Sequence, residues 1–469
     1  MHWSQIILAK VLPLVAALAA GVLLASVWKG SDRHDSVPMR MPVDRSGLAG
    51  AGKGKRALEQ GKLTPGPGVA ATDLPGSWPC FRGANRDGIS AEAVPLLEKW
   101  PEKGPPALWS MDLGEGYAGA AIRNGRVYVL DYDRESQADV MRCLSFADGK
   151  EIWKFTYPNP VKRNHGMSRT TPYVLDDCVI ALGPKCHLSC LDAATGTFRW
   201  GIDLVRDFGT EVPPWYAGQC PLVDDGRLIL APAGKDVLLM AVDLKTGTPL
   251  WKTPNPRTWR MTHVSVTPAV LAGRKTYVYC GHRGVAGVAA DDGSLLWDTE
   301  EWKISIATVA SPVPIPGDRI FFSGGYEAGS LMLKVKQSGG KWATEPLFRL
   351  GPDVFGATQQ TPILYKDHLY GVRPNGELVC LDLDGKVLWA SGTGRRYGLG
   401  PFLIADGKLL VMNDRGELTM AKASPDGFSS LSKAQVLDGH DSWGPMAIAG
   451  GHLLARDLTR MVCLDLRKP

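Results

Sequence analysis

Six short stretches carry most of the side chains that could bind or react. They hold Arg163, His165 and Arg169; Trp215, Tyr216 and Gln219; Arg260 and His263; Gln359 and Gln360; Arg395, Arg396 and Tyr397; and His440, Asp441 and Trp443. Tyr117 stands in a matching place further upstream. Arginine forks make paired hydrogen bonds to carboxylates, and Trp or Tyr faces stack on flat rings. Brought together, these groups suit a planar or anionic ligand. All but Arg163, Tyr216, Arg395 and His440 form the candidate binding set. The competing use of the same residues is structural, since polar side chains at the mouth of a wet channel satisfy backbone groups. No catalytic residue is expected. The chain has no Gly-x-Ser-x-Gly elbow, no His-Glu-x-x-His pair and no phosphate loop ending in Gly-Lys-Ser/Thr.

What must position these residues is a repeat. The phrase Cys190 to Trp200, CLDAATGTFRW, recurs as Ala241 to Trp251, Val288 to Trp297 and Cys380 to Trp389, with a looser copy ending at Trp153. In all five a glycine (Gly149, Gly196, Gly247, Gly293, Gly385) stands four residues before the Trp. Each copy is a hairpin: an alternating apolar run, a turn where Gly accepts positive φ, and a second strand ending on a large aromatic. Two more alternating runs lie upstream. Four antiparallel strands per repeat is a propeller blade.

Two registers count the blades. Trp109, Trp153, Trp200, Trp251, Trp297, Trp342 and Trp389 fall at intervals of 44 to 51 residues, the period of four-stranded blades. Pro172, Pro221, Pro268, Pro312, Pro362, Pro401 and Pro445 each open a repeat, at a position where no ladder donor is needed. The candidate segments stand just ahead of these prolines, so the fold should gather them at one mouth of the channel. After Pro445 no final Trp strand follows, and ALWSMDL around Trp109 supplies it. The expectation is an all-β, eight-bladed propeller of four-stranded antiparallel blades, its ring closed by an N-terminal strand. Trp109, Trp153, Trp200, Trp251, Trp297 and Trp389 are its expected blade-docking residues, because periodic Trp is core far more often than site. Blade five keeps only Lys341-Trp342 and blade seven (Pro401 to Asp438) has no Trp, so both read as degenerate.

Length alone would allow several domains in 469 residues, but stacked blades share one core. A net charge of +5 is mild, and no basic stripe with interleaved aromatics marks a nucleic-acid partner. Nine cysteines cannot all pair. Cys143, Cys190, Cys380 and Cys463 share one repeat position, which reads as a small buried residue of an inner strand. Cys186-His187-x-x-Cys190 lacks the paired spacing of a metal site.

Residues 1–28 read as a transmembrane anchor or signal segment. Val11 to Trp28 is an apolar run of eighteen residues without charge, at the lower limit for a spanning helix. Residues 29–77 are expected to be a flexible linker, rich in Gly, Pro and scattered charge with no apolar period. The propeller should then occupy 78–469, beginning with WPCFRGANRDGIS at Trp78 to Ser90. That stretch reads as a strap capping the propeller core, or alternatively as a ligand loop using Arg82 and Arg86.

The Trp-x-x-Phe-Arg-Gly opening, GYAGA at Gly116 to Ala120, SRTTP at Ser168 to Pro172 and the Asp-x-x-Thr-Gly-x-x-x-Trp repeat together resemble the pyrroloquinoline quinone (PQQ)-binding-like, or quinoprotein alcohol dehydrogenase-like, β-propellers. The resemblance covers about residues 78–469. The class holds quinoprotein dehydrogenases and non-catalytic relatives such as the outer-membrane protein assembly lipoprotein. The dehydrogenases hold the quinone between a Trp and a disulfide of adjacent cysteines, bind Ca²⁺ through carboxylate and amide oxygens, and use an Asp base. Here no two cysteines are adjacent, and Asp207, Glu211 and Asp441 are the only acidic candidates near the lead-in segments. No cofactor is therefore expected, PQQ with Ca²⁺ being the group the resemblance would otherwise imply. The expected function is a non-catalytic binding or scaffolding module, membrane-tethered on the periplasmic or extracytoplasmic side, holding a protein partner or small ligand on a propeller face. The alternatives are a PQQ-dependent dehydrogenase-like enzyme and a carbohydrate-binding envelope module stacking sugars on Trp215, Tyr216 and Trp443.

Overall fold

The computed structural model describes residues 57–468. Eight sheets form eight blades, numbered here in chain order. Blade 6 shows why the sequence folds this way: its strands are Ile363–Tyr365, His368–Val372, Leu378–Leu381 and Val387–Ala390. Lys366 and Asp367 both take positive φ (48° and 60°), the geometry of a tight hairpin turn that matches strand twist. Gly376 and Gly385 make the next two turns at φ 88° and 86°. In each blade the first strand lies at one edge of the sheet, and first strands of neighbouring blades meet around the axis.

The ring closes as expected. Ala107–Asp112 pairs antiparallel with Arg460–Asp465, Trp109 facing Cys463, and completes blade 8. Closure leaves no blade with an unpaired edge at the joint. Blades 5 and 7 lack the repeated Trp yet carry all four strands.

The docking tryptophans divide into three groups. Trp109, Trp153, Trp200 and Trp389 each lie between blades and donate an indole N–H to a backbone oxygen of the next blade, at Phe146, Ala193, Leu244 and Ser424. Trp109, Trp153 and Trp200 cover the turn glycine of that blade: a Cβ at Gly149, Gly196 or Gly247 would come within 2.8 Å of the ring. Trp251 covers Gly293 likewise, but its N–H has no partner. Trp297 is buried in a cluster shared by blades 4 and 5, again without a partner for its N–H. Trp342 continues the count but not the role. Blade 5's outer hairpin, Gly329–Ser338 with Lys341–Leu350, is ten residues a side, which puts Trp342 near its tip, opposite Gln337. Phe348, six residues later, packs on Gly385 of blade 6 instead.

Two expectations are revised or left aside. Residues 57–77, read as flexible linker, are structured. Lys62–Pro65 adds a fifth strand to the outer edge of blade 1, Lys62 facing Thr156 and Pro65 facing Trp153. Leu58 is buried against Gly201 of blade 2. The segment has no alternation to read because its ordering comes from backbone hydrogen bonds to an edge strand. The predicted anchor at 1–28 and linker residues 29–56 lie outside the described residues. Among the described residues no helix is long and apolar enough to cross a membrane.

Candidate functional site

The two ends of the propeller axis are built differently. The first strands run from their lead-ins toward the end that the Trp78 to Ser90 strap crosses. Trp78 bridges Ile122 in blade 1, Pro79 accepts the Val174 N–H of blade 2, and Ile89 bridges Ile404 in blade 7. Arg82 donates to the carbonyls of Thr361 and Pro362 in blade 6 and to Asp87 and Arg86 within the strap. Glu92, just beyond, accepts from Gly450 N in blade 8 and Ser77 N. The strap and the residue just beyond it are thus tied to blades 1, 2, 6, 7 and 8 and cover this end. Four of its seven residues from Arg82 to Gly88 take positive φ.

At the other end the lead-ins interlock. Gly116 bridges Ser168, Tyr117 N–H donates to Ser168 O at 2.7 Å, and Met167 N–H donates to Glu115 O. A Cβ at Gly116 would lie 2.0 Å from Ser168 Oγ, so only glycine permits this approach. The clasp brings together six of the thirteen predicted binding residues. Tyr117 is buried, its ring 5.2 Å from that of Trp443, and its hydroxyl donates to Asp441 at 3.2 Å. The Arg169 guanidinium lies 5.2 Å over the Tyr117 ring and donates to the carbonyls of Trp215 and Asn164. Trp215 in turn lies 6.3 Å from His263.

Burial and the Arg169 charge hold His263 down to about 3, so its imidazole is neutral near pH 7. Burial, aided by Asp441, pushes the Tyr117 hydroxyl up to about 12. Burial pulls Arg169 below its ordinary value, against Tyr117, Tyr216 and Tyr326, which raise it; His263 is a further titratable neighbour. Asp414, missed in the sequence, accepts the Trp443 indole N–H at 2.8 Å and is raised by burial. It lies in the turn between the middle strands of blade 7, the other kind of segment that reaches this end.

The remaining predicted residues are elsewhere or otherwise engaged. Gln219 is buried and exchanges both amide bonds with Ala231. Gln360 donates to the carbonyls of Gly398 and Gly400, with Gln359 half-buried beside it. Tyr397 is buried and its N–H donates to Gly376 O; Arg396 bridges Glu377. Arg260 faces solvent in a pair with Glu211 at 3.2 Å. His165 sits on the blade 2 lead-in at φ 60°. Period-two alternation selects segments, but which of these side chains meet depends on five blades at once.

This donor set does not fit PQQ with Ca²⁺. All nine cysteines are free and buried. Among the described residues no three His, Cys, Asp or Glu side chains are grouped to hold a metal ion, and Asp207 accepts from Asp203 N on a short helix, Leu204–Phe208. A sugar platform fares no better: Tyr216 is buried with its hydroxyl on Lys162 O, and Trp443 is buried against Tyr117.

A family model described as outer membrane protein assembly factor BamB matches residues 136–391. The outer membrane protein assembly factor BamB of Xanthomonas campestris pv. campestris is 27% identical over 383 residues, covering 70% of this chain and 88% of that protein. The crystal structure of BamB from Moraxella catarrhalis superposes with a TM-score of 0.52 at 14% identity, over 77% of this chain and 99% of that one. The quinohemoprotein alcohol dehydrogenase ADHIIG from Pseudomonas putida HK5 gives a TM-score of 0.56 at 12% identity, over 86% of this chain and 83% of that one. At such identities the two structures show the shared propeller fold alone.

Proposed function

This chain belongs to the family described as outer membrane protein assembly factor BamB, and from that membership we propose that it is a non-catalytic scaffold for envelope proteins. In this reading the propeller holds a protein partner at its lead-in end, as part of outer-membrane protein assembly. The observation that carries it is the arrangement of Tyr117, Arg169, Trp215, His263, Asp441 and Trp443. These groups orient one another through stacking and hydrogen bonds, and none pairs a nucleophile with a base. A neutral His263 and a Tyr117 hydroxyl raised to about 12 support that reading, since neither is poised for proton transfer near pH 7. Arg169, Trp215, His263 and Asp441 are half-buried around the buried Tyr117–Trp443 pair, so a partner would meet the guanidinium and the Trp215 indole, residue types common in protein-binding hot spots.

The apolar segment within residues 1–28 is the membrane tether in this proposal. The propeller then stands on the periplasmic or extracytoplasmic side.

The test is removal of the chain from the cells that carry it. Lower amounts of outer-membrane β-barrel proteins are expected, restored by the full chain and not by an Arg169→Glu variant that folds. Unchanged amounts refute the assembly role. Saturable, Ca²⁺-dependent binding of PQQ to the full chain would refute the non-catalytic one. A full chain that leaves the membrane fraction in alkaline carbonate would exclude the tether.

A further inference from the structure

Beneath the strap lies a cavity of about 300 Å³, walled by the first strands of blades 3, 4 and 5. Its lining is mainly apolar, with Phe81, Leu222, Val266, Val313 and Leu364. Two polar groups facing it are underused. Ser311, 6% exposed, has no partner for its hydroxyl, although its backbone N–H donates to Thr361 Oγ1. Arg86 has a buried Nε without a partner. Its guanidinium also neighbours the Tyr173 hydroxyl, and it lies 3.3 Å from Val223 O and 3.9 Å from Asp224. Asp224 is already taken by Lys275 Nζ at 2.7 Å and the Tyr277 hydroxyl at 2.8 Å. Arg86 also stands at φ 63°, a conformation that costs a non-glycine residue energy and is retained where the surroundings hold it.

The other groups in the wall do not compete. Arg82 is saturated by four carbonyls, and Asp87 Oδ1 accepts from Ile89 N. Burial pushes the Cys80 thiol up to about 12 and the Cys220 thiol up to about 11, so both line the cavity as neutral sulfur. Asn85, at the tip of the strap, is exposed and also lines the cavity, which therefore reaches solvent there. An apolar box with one free guanidinium edge and one free hydroxyl matches a single ligand class. We propose that this cavity binds a small carboxylate with an apolar body, its carboxylate on the Nε edge of Arg86 and the Ser311 hydroxyl as second donor.

The probe is benzoate, with neutral benzamide as its isostere and sodium chloride as the salt control, titrated into the detergent-solubilised full chain. A ligand that binds only the folded form raises the melting temperature by mass action. Benzoate should raise it saturably in the millimolar range, and benzamide and chloride should not. Arg86→Asn, which tolerates positive φ, should abolish the shift, and Ser311→Ala should weaken apparent affinity several-fold. Arg169→Gln, at the opposite end, should leave it intact, which separates this site from the partner platform. An equal shift with benzamide, a benzoate response unchanged in both strap-end variants, or none up to tens of millimolar overturns the proposal.

Discussion

The two ends of one axis use the same residue types for opposite purposes. At the strap end, Arg82 points four hydrogen bonds at carbonyls and fastens the strap to blade 6. At the lead-in end, Arg169 lies on the face of Tyr117 among tyrosines and the neutral His263. A guanidinium surrounded by carbonyls is a rivet, because each N–H it loses leaves a buried acceptor unpaired. One stacked on a ring keeps part of its donor fork for a visitor. Closing one end and presenting the other is thus a matter of what surrounds the arginine.

Exchanging the two arginines for glutamine is the most direct way to break that contrast. Arg82→Gln should cost about 3 kcal/mol of stability in urea unfolding, through carbonyls stripped of their donor. Acid–base behaviour sharpens it next. Asp139 is buried at the lead-in end between blades 1 and 2, accepting from the Tyr157 hydroxyl at 2.6 Å and Asn159 Nδ2 at 2.7 Å. Burial raises it to about 7 against these two donors and the Lys185 charge, all of which lower it. Its folded value lies above its unfolded one, so the protonated form stabilises the fold. That contribution is complete below about pH 4 and is lost as pH rises through 7. Asp139→Asn keeps the acceptor for both donors, and should flatten the decline in melting temperature between pH 4 and 8; a slope equal to wild type would contradict the assignment. Tyr117→Phe, which deletes the hydroxyl's hydrogen bonds to Asp441 and the Gly166 backbone, should cost about 1 kcal/mol by the same unfolding assay. Arg169→Gln should be smallest, about 0.5 kcal/mol. If it instead matches Arg82→Gln, the lead-in end is a second seal and not a platform.

Much of the fold was legible because its signals are local and repeated. Turn glycines four residues before Trp, and prolines ahead of first strands, set blade count, register and ring closure. Legibility failed where a neighbour supplied the reason. Trp342 kept the interval, yet the long blade 5 hairpin carried it to a tip and left Phe348 between the blades. Lys62–Pro65 is ordered by an edge strand almost ninety residues away in sequence, which no local pattern announces. At the site, the segments were visible and the company each side chain keeps was not. Gln219 carries the chemistry of a ligand donor and bonds its own blade, while Asp414 became visible only through Trp443.

Ring closure also sets an order of events. Ala107–Asp112 leaves the ribosome before any blade, but its partner, Arg460–Asp465, follows only after all the other blade strands. The first docking tryptophan therefore waits, with its strand unpaired, for about 350 residues of intervening chain to be made and folded. Bringing such distant segments together carries a loop-closure cost that grows only slowly with length, but it makes the final step non-local and slow. Until then the nascent ring has two open edges ready to pair with another chain. Deletion of Arg460–Asp465 alone would leave every other blade strand made and the ring permanently unlatched.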